Sequence, residues 1–229
     1  MLFGAHVSTA GGLENAPKNA AMLDCEVLQM FTRPPQGGPA SKITDEIIAN
    51  FKRERENGRI REVAVHTPYY LNLASADEVV RNNSIRIIRE DLERASMIGA
   101  EYCMTHLGSG RELGKEKAIG VVSDGLQEIL DGYKGSCEFL IEIAAGAGEV
   151  MGASFEQISE IIDRSGTGAL GVCFDTQHAF ASGYDLRNTQ AVQNTFDLFD
   201  STIGLKRLKM SHCNDSVVEL GARRDRQRA

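Results

Sequence analysis

The sequence predicts an α/β protein, a TIM (β/α)8-type barrel that lacks its eighth β/α unit. Three observations predict it. Strand-like apolar runs alternate with amphipathic, helix-like segments along nearly all of the 229 residues, the pattern of a parallel sheet built from β/α repeats. Chains of this length often form one α/β barrel. Residues with metal-ligand chemistry fall at the C-terminal ends of the runs, the rim where such barrels keep their active sites.

The strand-like runs are residues 2–8, 27–32, 63–68, 102–108, 139–146, 170–178 and 205–215. Between them, Ile85, Ile88, Leu92 and Ala95 recur at helical spacing. So do Phe155, Ile158, Ile161 and Ile162, and then Val192, Phe196, Phe199 and Ile203; each set marks one buried helix face. Thr44 before Ile47 and Ser154 before Phe155 read as helix N-caps. These runs fill seven β/α units. Residues 221–229, GARRDRQRA, are polar, basic and aperiodic, so the eighth unit is expected to be missing. The barrel is then expected to be open at 2–8 and 205–215, where exposed strand edges favour an oligomer or a covering partner. No linker or low-complexity tract interrupts the chain, and residues 1–229 read as one domain.

The net charge of −7 disfavours nonspecific nucleic-acid binding but leaves room for a local basic or metal-bearing rim. No apolar run approaches the roughly 18 residues of a membrane span. Residues 1–8 lack the basic start and apolar core of a secretory signal, so a cytoplasmic protein without a membrane partner is expected. The five cysteines are odd in number and form no C-x-x-C, which reads as reduced structural thiols. Cys213 neighbours His212, but strand alternation turns it to the opposite face.

All five histidines, His6, His66, His106, His178 and His212, stand in these runs, at or near the C-terminal end. Glu142 and Asp175 share the pattern. His66 and His106, at equivalent positions of neighbouring strands, can approach one ion together. Glu142 lies in the apolar run F-L-I-E-I-A-A-G, where a carboxylate is costly unless paired or metal-bound. Asp175 and His178, three residues apart, flank a strand end, and His212 closes the set. Asp215 reads either as a partner that orients a histidine or as a turn residue. His6 reads either as a residue that supports the metal ligands from behind or, the favoured reading, as a core histidine satisfied by polar neighbours. Tyr69 and Tyr70 are placed to stack on a base or sugar, or to pack on the barrel's shoulder. Arg33 and Gln36 read as polar tips of the Pro/Gly loop 32–40. Arg223, Arg224, Arg226 and Arg228 form a basic tail suited to phosphate or simply solvated. Two or three divalent ions in such a constellation suit phosphate-ester hydrolysis. No P-loop, Ser/His/Asp order or dinucleotide fingerprint competes.

Three stretches carry a resemblance: G-A-H-V-S-x-A-G-G-L at 4–13, F-D-T-Q-H-A-F-A-S-G-Y-D-L at 174–186, and H-C-N-D-S followed by E-L-G-A-R-x-D-R. They resemble endonuclease IV, the zinc-dependent apurinic/apyrimidinic endonucleases of base-excision repair (AP endonuclease family 2). The resemblance implies a TIM barrel with three zinc ions. It implies His66, His106 and Glu142 on one ion, with Glu142 bridging to a second that Asp175 and His212 also hold. His178 and Asp225 are implied on the third. Glu142, Asp175 and His212 are thereby the implied catalytic centre. The implied reaction cuts double-stranded DNA 5′ to an abasic site, with a zinc-bridged hydroxide as nucleophile and a 3′-hydroxyl left behind. Tyr69 is implied against the DNA, with Arg33 and Gln36 on the adjacent loop. Three departures stand out. Gln227 occupies the place of a family histidine ligand, and imidazole is the better zinc ligand. The family's last glutamate ligand falls beyond Ala229. The sequence PPQGG at 34–38 replaces an Arg-Gln-Trp-like loop, with Gln36 as a loose counterpart. One to three zinc ions are therefore expected. Two alternatives remain: a sugar isomerase or epimerase using one divalent ion on a related barrel, and a non-catalytic remnant that binds DNA or one zinc.

Overall fold

The computed structural model describes residues 1–228, Arg228 by its backbone alone. Ala229, the end of the predicted domain, and the Arg228 side chain of the basic tail lie outside what is described.

Each predicted apolar run contributes one strand to the main, seven-stranded sheet. The strands are β1 (Gly4–His6), β2 (Val27–Met30), β3 (Glu62–His66), β4 (Tyr102–Thr105), β5 (Glu138–Glu142), β6 (Leu170–Asp175) and β7 (Leu208–His212). They hydrogen-bond in chain order. The pairings β1–β2, β2–β3, β3–β4 and β6–β7 are parallel, with Leu28 opposite Val63, His66 opposite Met104 and Asp175 opposite His212. Helices fill the crossovers, as parallel neighbours require: α1 (Asn15–Ala21), α2 (Asp45–Asn57), α3 (Glu78–Ile98), α4 (Lys115–Leu130), α5 (Phe155–Ser165), α6 (Thr176–Ser182) and α7 (Thr189–Thr202).

The chain divides into two compact units. Residues 1–70, 87–105 and 132–139 form the first; residues 71–86, 106–131 and those from 140 onward form the second. In the first, Leu28, Met30, Val63 and Val65 are buried together with Phe51 of α2 and Ile88, Leu92 and Ala95 of α3. The Thr44 hydroxyl accepts the Ile47 N–H at 3.3 Å, the N-cap that its position predicts.

In the second unit, α4 packs on α5. Ile119, Val122, Leu126 and Ile129 are buried on one helix, and Phe155, Ile158, Ile161 and Ile162 on the other. Ser154 caps α5 by accepting the Gln157 N–H at 3.2 Å. Phe155 stacks on Tyr184 with centroids 3.7 Å apart and meets Phe199 edge-on at 5.2 Å. Phe155→Ala is expected to cost about 3–5 kcal/mol, the usual loss for a buried phenylalanine, measured by chemical denaturation. All six residues of β6 are buried, whereas β7 alternates between half-buried and exposed, as expected for a strand at one end of the order.

Several sequence expectations are corrected. The run 170–178 is not one strand: it stops at Asp175, and His178 lies on α6. The Asp175 carboxylate accepts the His178 N–H at 2.8 Å; this N-cap turns the chain from strand to helix. The run 205–215 splits into a 3₁₀ turn at Leu205–Arg207, then β7, then β8 (Asp215–Ser216). The aperiodic tail contains β9 (Gln227–Arg228), which pairs antiparallel with β8. His6 is exposed rather than in the core. It is satisfied by the Gln29 amide at 2.8 Å and packs on Phe31 at 4.6 Å.

Candidate metal centre

The second unit gathers most of the predicted ligands. Glu142 ends β5, Asp175 ends β6, His212 ends β7, His178 lies one turn into α6, and His106 follows β4 directly. Glu142 and Asp175 are 2% and 0% exposed, a burial that ionised carboxylates tolerate only with close partners. Imidazoles are prominent among those partners. His212 Nδ1 lies 3.0 Å from Glu142 Oε1 and 3.6 Å from Asp175 Oδ2. His178 Nδ1 is 3.4 Å from Glu142 Oε1, and His106 Nε2 is 3.6 Å from Glu142 Oε2. Glu142 thus faces three imidazoles. Gly108, two residues past His106, takes φ 84°, and a Cβ there would lie 2.1 Å from Asn72 Oδ1; only glycine fits this turn beside the site.

Backbone and tail complete the surroundings. His178 Nδ1 donates to the Ile143 carbonyl at 2.8 Å, which directs Nε2 towards Asp225 Oδ2 at 3.4 Å. Gln227 Nε2 lies 3.4 Å from Asp175 Oδ2 and 3.5 Å from His178 Nε2. The β8–β9 pair brings Asp225 and Gln227 to the site from the far end of the sequence.

These contacts fix the electrostatics. Burial opposes protonation of His178, but hydrogen bonds to Asp225 and Glu142 and the nearby Asp175 charge overrule it, pushing its pKa up to about 10. Burial likewise opposes protonation of His212, yet Asp175, Cys173 and Glu142 hold it well above the ordinary imidazole range. The His178 contact holds Asp225 below the usual carboxylate range. Buried carboxylates surrounded by imidazoles form an oxygen-and-nitrogen donor set that suits zinc or a similar divalent ion. Ligand atoms of Glu142, Asp175 and His178 lie within 4.8 Å of one another, so the residues present fit such an ion.

Two neighbours are not among the site residues that the sequence predicts. Asn214 Nδ2 donates to Asp175 Oδ2 at 2.6 Å, and the Asn214 N–H donates to Thr176 Oγ1 at 2.9 Å. Cys173 is fully buried beside Glu142 and His212, and burial pushes its thiol up to about 11. The available signal was the period of two: Asn214 follows His212 by two residues, and Cys173 precedes Asp175 by two. Asp215 is not the turn residue of the sequence reading: it opens β8, and its carboxylate accepts the Ser216 N–H at 2.8 Å.

The sequence profile described as "Xylose isomerase-like TIM barrel" matches residues 17–229. A protein named probable endonuclease 4, from Natranaerobius thermophilus, is 37% identical over 227 residues, covering 99% of this chain and 80% of that relative. The chain belongs to the endonuclease IV family. The crystal structure of endonuclease IV from Thermus thermophilus matches with a TM-score of 0.89 at 31% identity, over all of this chain and 81% of that one. A D-tagatose 3-epimerase-like protein, 22% identical with a TM-score of 0.64 over 93% of this chain and 76% of that one, shares the fold alone. The fold is thus the TIM barrel that the β/α alternation predicts.

The first unit holds the remaining predicted residues of this endonuclease IV family member. His66 ends β3 at 3% exposure. Its Nδ1 donates to the Thr67 carbonyl at 2.6 Å, which leaves Nε2 as the ligand-competent nitrogen. Tyr69 is 60% exposed, with its ring 5.1 Å from His66 and 5.4 Å from Phe31. Gln36 is exposed at its loop. Arg33 is not the exposed tip that loop composition suggests. Its side chain is 4% exposed and paired with Glu90 and Asp91, each at 2.8 Å, because two carboxylates of α3 supply the anions that its burial requires.

Proposed function

We propose that this endonuclease IV family member, a hydrolase, cuts double-stranded DNA 5′ to abasic sites in cytoplasmic base-excision repair, residues 1–229 acting as one domain with up to three zinc ions. The observation that carries the reading is Glu142, buried and facing three imidazoles, in a chain of this family. In this reading His66, His106 and Glu142 hold one ion. Glu142, Asp175 and His212 hold a second, and His178 and Asp225 a third. Bound divalent ions would supply positive charge for the phosphate oxygens and acidify water.

The chain's own residues do the rest. Glu142 and Asp175 supply negative charge in a desolvated setting, where it acts strongly. The Ile143 and Thr67 carbonyls fix the tautomers of His178 and His66. Asn214 orients the Asp175 carboxylate. Tyr69 offers an exposed ring to an unstacked nucleotide, and Gln36 a polar tip. Among the described residues no helix is long and apolar enough to cross a membrane. The ends of the strand order, β1 and β7, are where a second copy would pair, and analytical ultracentrifugation reads this directly.

Asn214→Ala is expected to weaken metal binding about 10–100-fold, the usual effect of losing a partner that orients a ligand, measured by competition with a zinc-sensitive dye. Function is tested by incubating the metal-loaded protein with an end-labelled duplex bearing one abasic site. A single cut on its 5′ side, leaving an extendable 3′-hydroxyl, is expected. An intact duplex together with epimerisation of a ketose would replace this reading with the sugar-epimerase one.

A further inference from the structure

Loop 32–41 has little internal framework of its own. It contains Pro34, Pro35 and Pro39, Gly37 at φ 110° and Gly38 at φ 105°, and no regular structure. Within it, the Gly37 N–H donates to the Pro34 carbonyl at 3.2 Å. The anchorage comes from α3. Arg94 Nη2 donates to the Thr32 carbonyl at 2.6 Å, Nη1 to the Ser41 carbonyl at 2.8 Å and Nε to Thr32 Oγ1 at 3.2 Å. One guanidinium therefore ties both ends of the loop, as in a compact Ω-type closure. Asp91 sits beneath it. Its Oδ1 accepts from Thr32 Oγ1 and from Arg33 Nε, each at 2.8 Å, and Glu90 accepts from Arg33 Nη2 at 2.8 Å. The side chains of Arg94, Arg33 and Asp91 are 12%, 4% and 0% exposed. Two cations balance two anions. Among the described residues Asp91 Oδ2 is buried without a hydrogen-bond partner, a cost that the surrounding ion pairs offset.

We propose that Arg94 is a positioning residue for substrate binding: by tying both ends of loop 32–41 it presents the exposed Gln36 tip to DNA in one ordered conformation. This rests on the DNA-cutting function proposed above. A loop ordered in advance does not lose its conformational freedom on binding. The task suits arginine, whose planar fork reaches two carbonyls at fixed geometry, and not lysine.

The test uses the full, metal-loaded chain with Arg94→Ala and Arg94→Lys. Hydrogen–deuterium exchange is read over residues 32–41, and KM and kcat are read on the abasic duplex. Arg94→Ala is expected to raise exchange in the loop and KM by about tenfold, with kcat and metal content within about twofold of the parent. Arg94→Lys is expected to stay near the alanine values; full rescue by lysine would overturn the two-ended tie. Unchanged loop exchange, or raised exchange with unchanged KM, would overturn the proposal, and so would a fall in metal content alongside kcat. If the parent chain does not incise the duplex, the nuclease reading fails, and fluorescence anisotropy on the same DNA still decides the role of Arg94. Should Arg94→Ala not fold, Arg94→Gln keeps part of the stem and one donor nitrogen and is read in the same way.

Discussion

Replacing Glu142 with glutamine is expected to abolish incision, lowering kcat by on the order of 10³- to 10⁴-fold, while circular dichroism stays that of the parent. The substitution keeps size and shape and removes one charge. That charge is the shared partner of His106, His178 and His212. A neutral amide is a weaker metal ligand than a carboxylate, so under the proposed assignment metal content by plasma mass spectrometry is expected to fall in the same preparation. Parent-like turnover in a fully loaded Glu142→Gln protein would remove Glu142 from the centre of the site.

Metal removal is the second large effect. Chelation is expected to eliminate incision, and zinc is expected to restore it and raise thermal stability. The gain in stability should be about 2.7 kcal/mol at a free zinc concentration 100 times the Kd. The dependence on pH has a definite sign. In the metal-free site His178 stays protonated up to about 10 and His212 is held protonated as well. An imidazole must lose its proton to bind an ion, so metal uptake at neutral pH releases protons and apparent affinity rises with pH. Isothermal titration calorimetry in buffers of different ionisation enthalpy reads this release. Affinity that falls between pH 6 and 8 would contradict these ligand assignments.

Much of the fold was legible in the sequence because its periodicities are strong. Ile88, Leu92 and Ala95 on α3, and Ile158, Ile161 and Ile162 on α5, are buried as their spacing requires. Strand ends were less legible, since apolar residues continue past Asp175 into α6. There a single side-chain hydrogen bond, from the His178 N–H to Asp175, decides between strand and helix. Arg33 was misjudged for a different reason. Loop composition says nothing of Asp91, 58 residues along the chain, whose buried carboxylate draws the guanidinium inward. Asn214 and Cys173 were readable in principle from strand alternation, but their types are less diagnostic than histidine or aspartate. The family motif, rather than periodicity, pointed to Asp225, which reaches His178 only because β8 and β9 fold the tail back.

The most direct measurement is incision of an abasic duplex by the purified chain, with zinc per chain determined on the same sample. One cut 5′ to the abasic site, in proportion to bound zinc and lost in Glu142→Gln, is the predicted result. A zinc-loaded, folded chain that leaves the duplex intact would contradict the assignment of this centre to DNA hydrolysis.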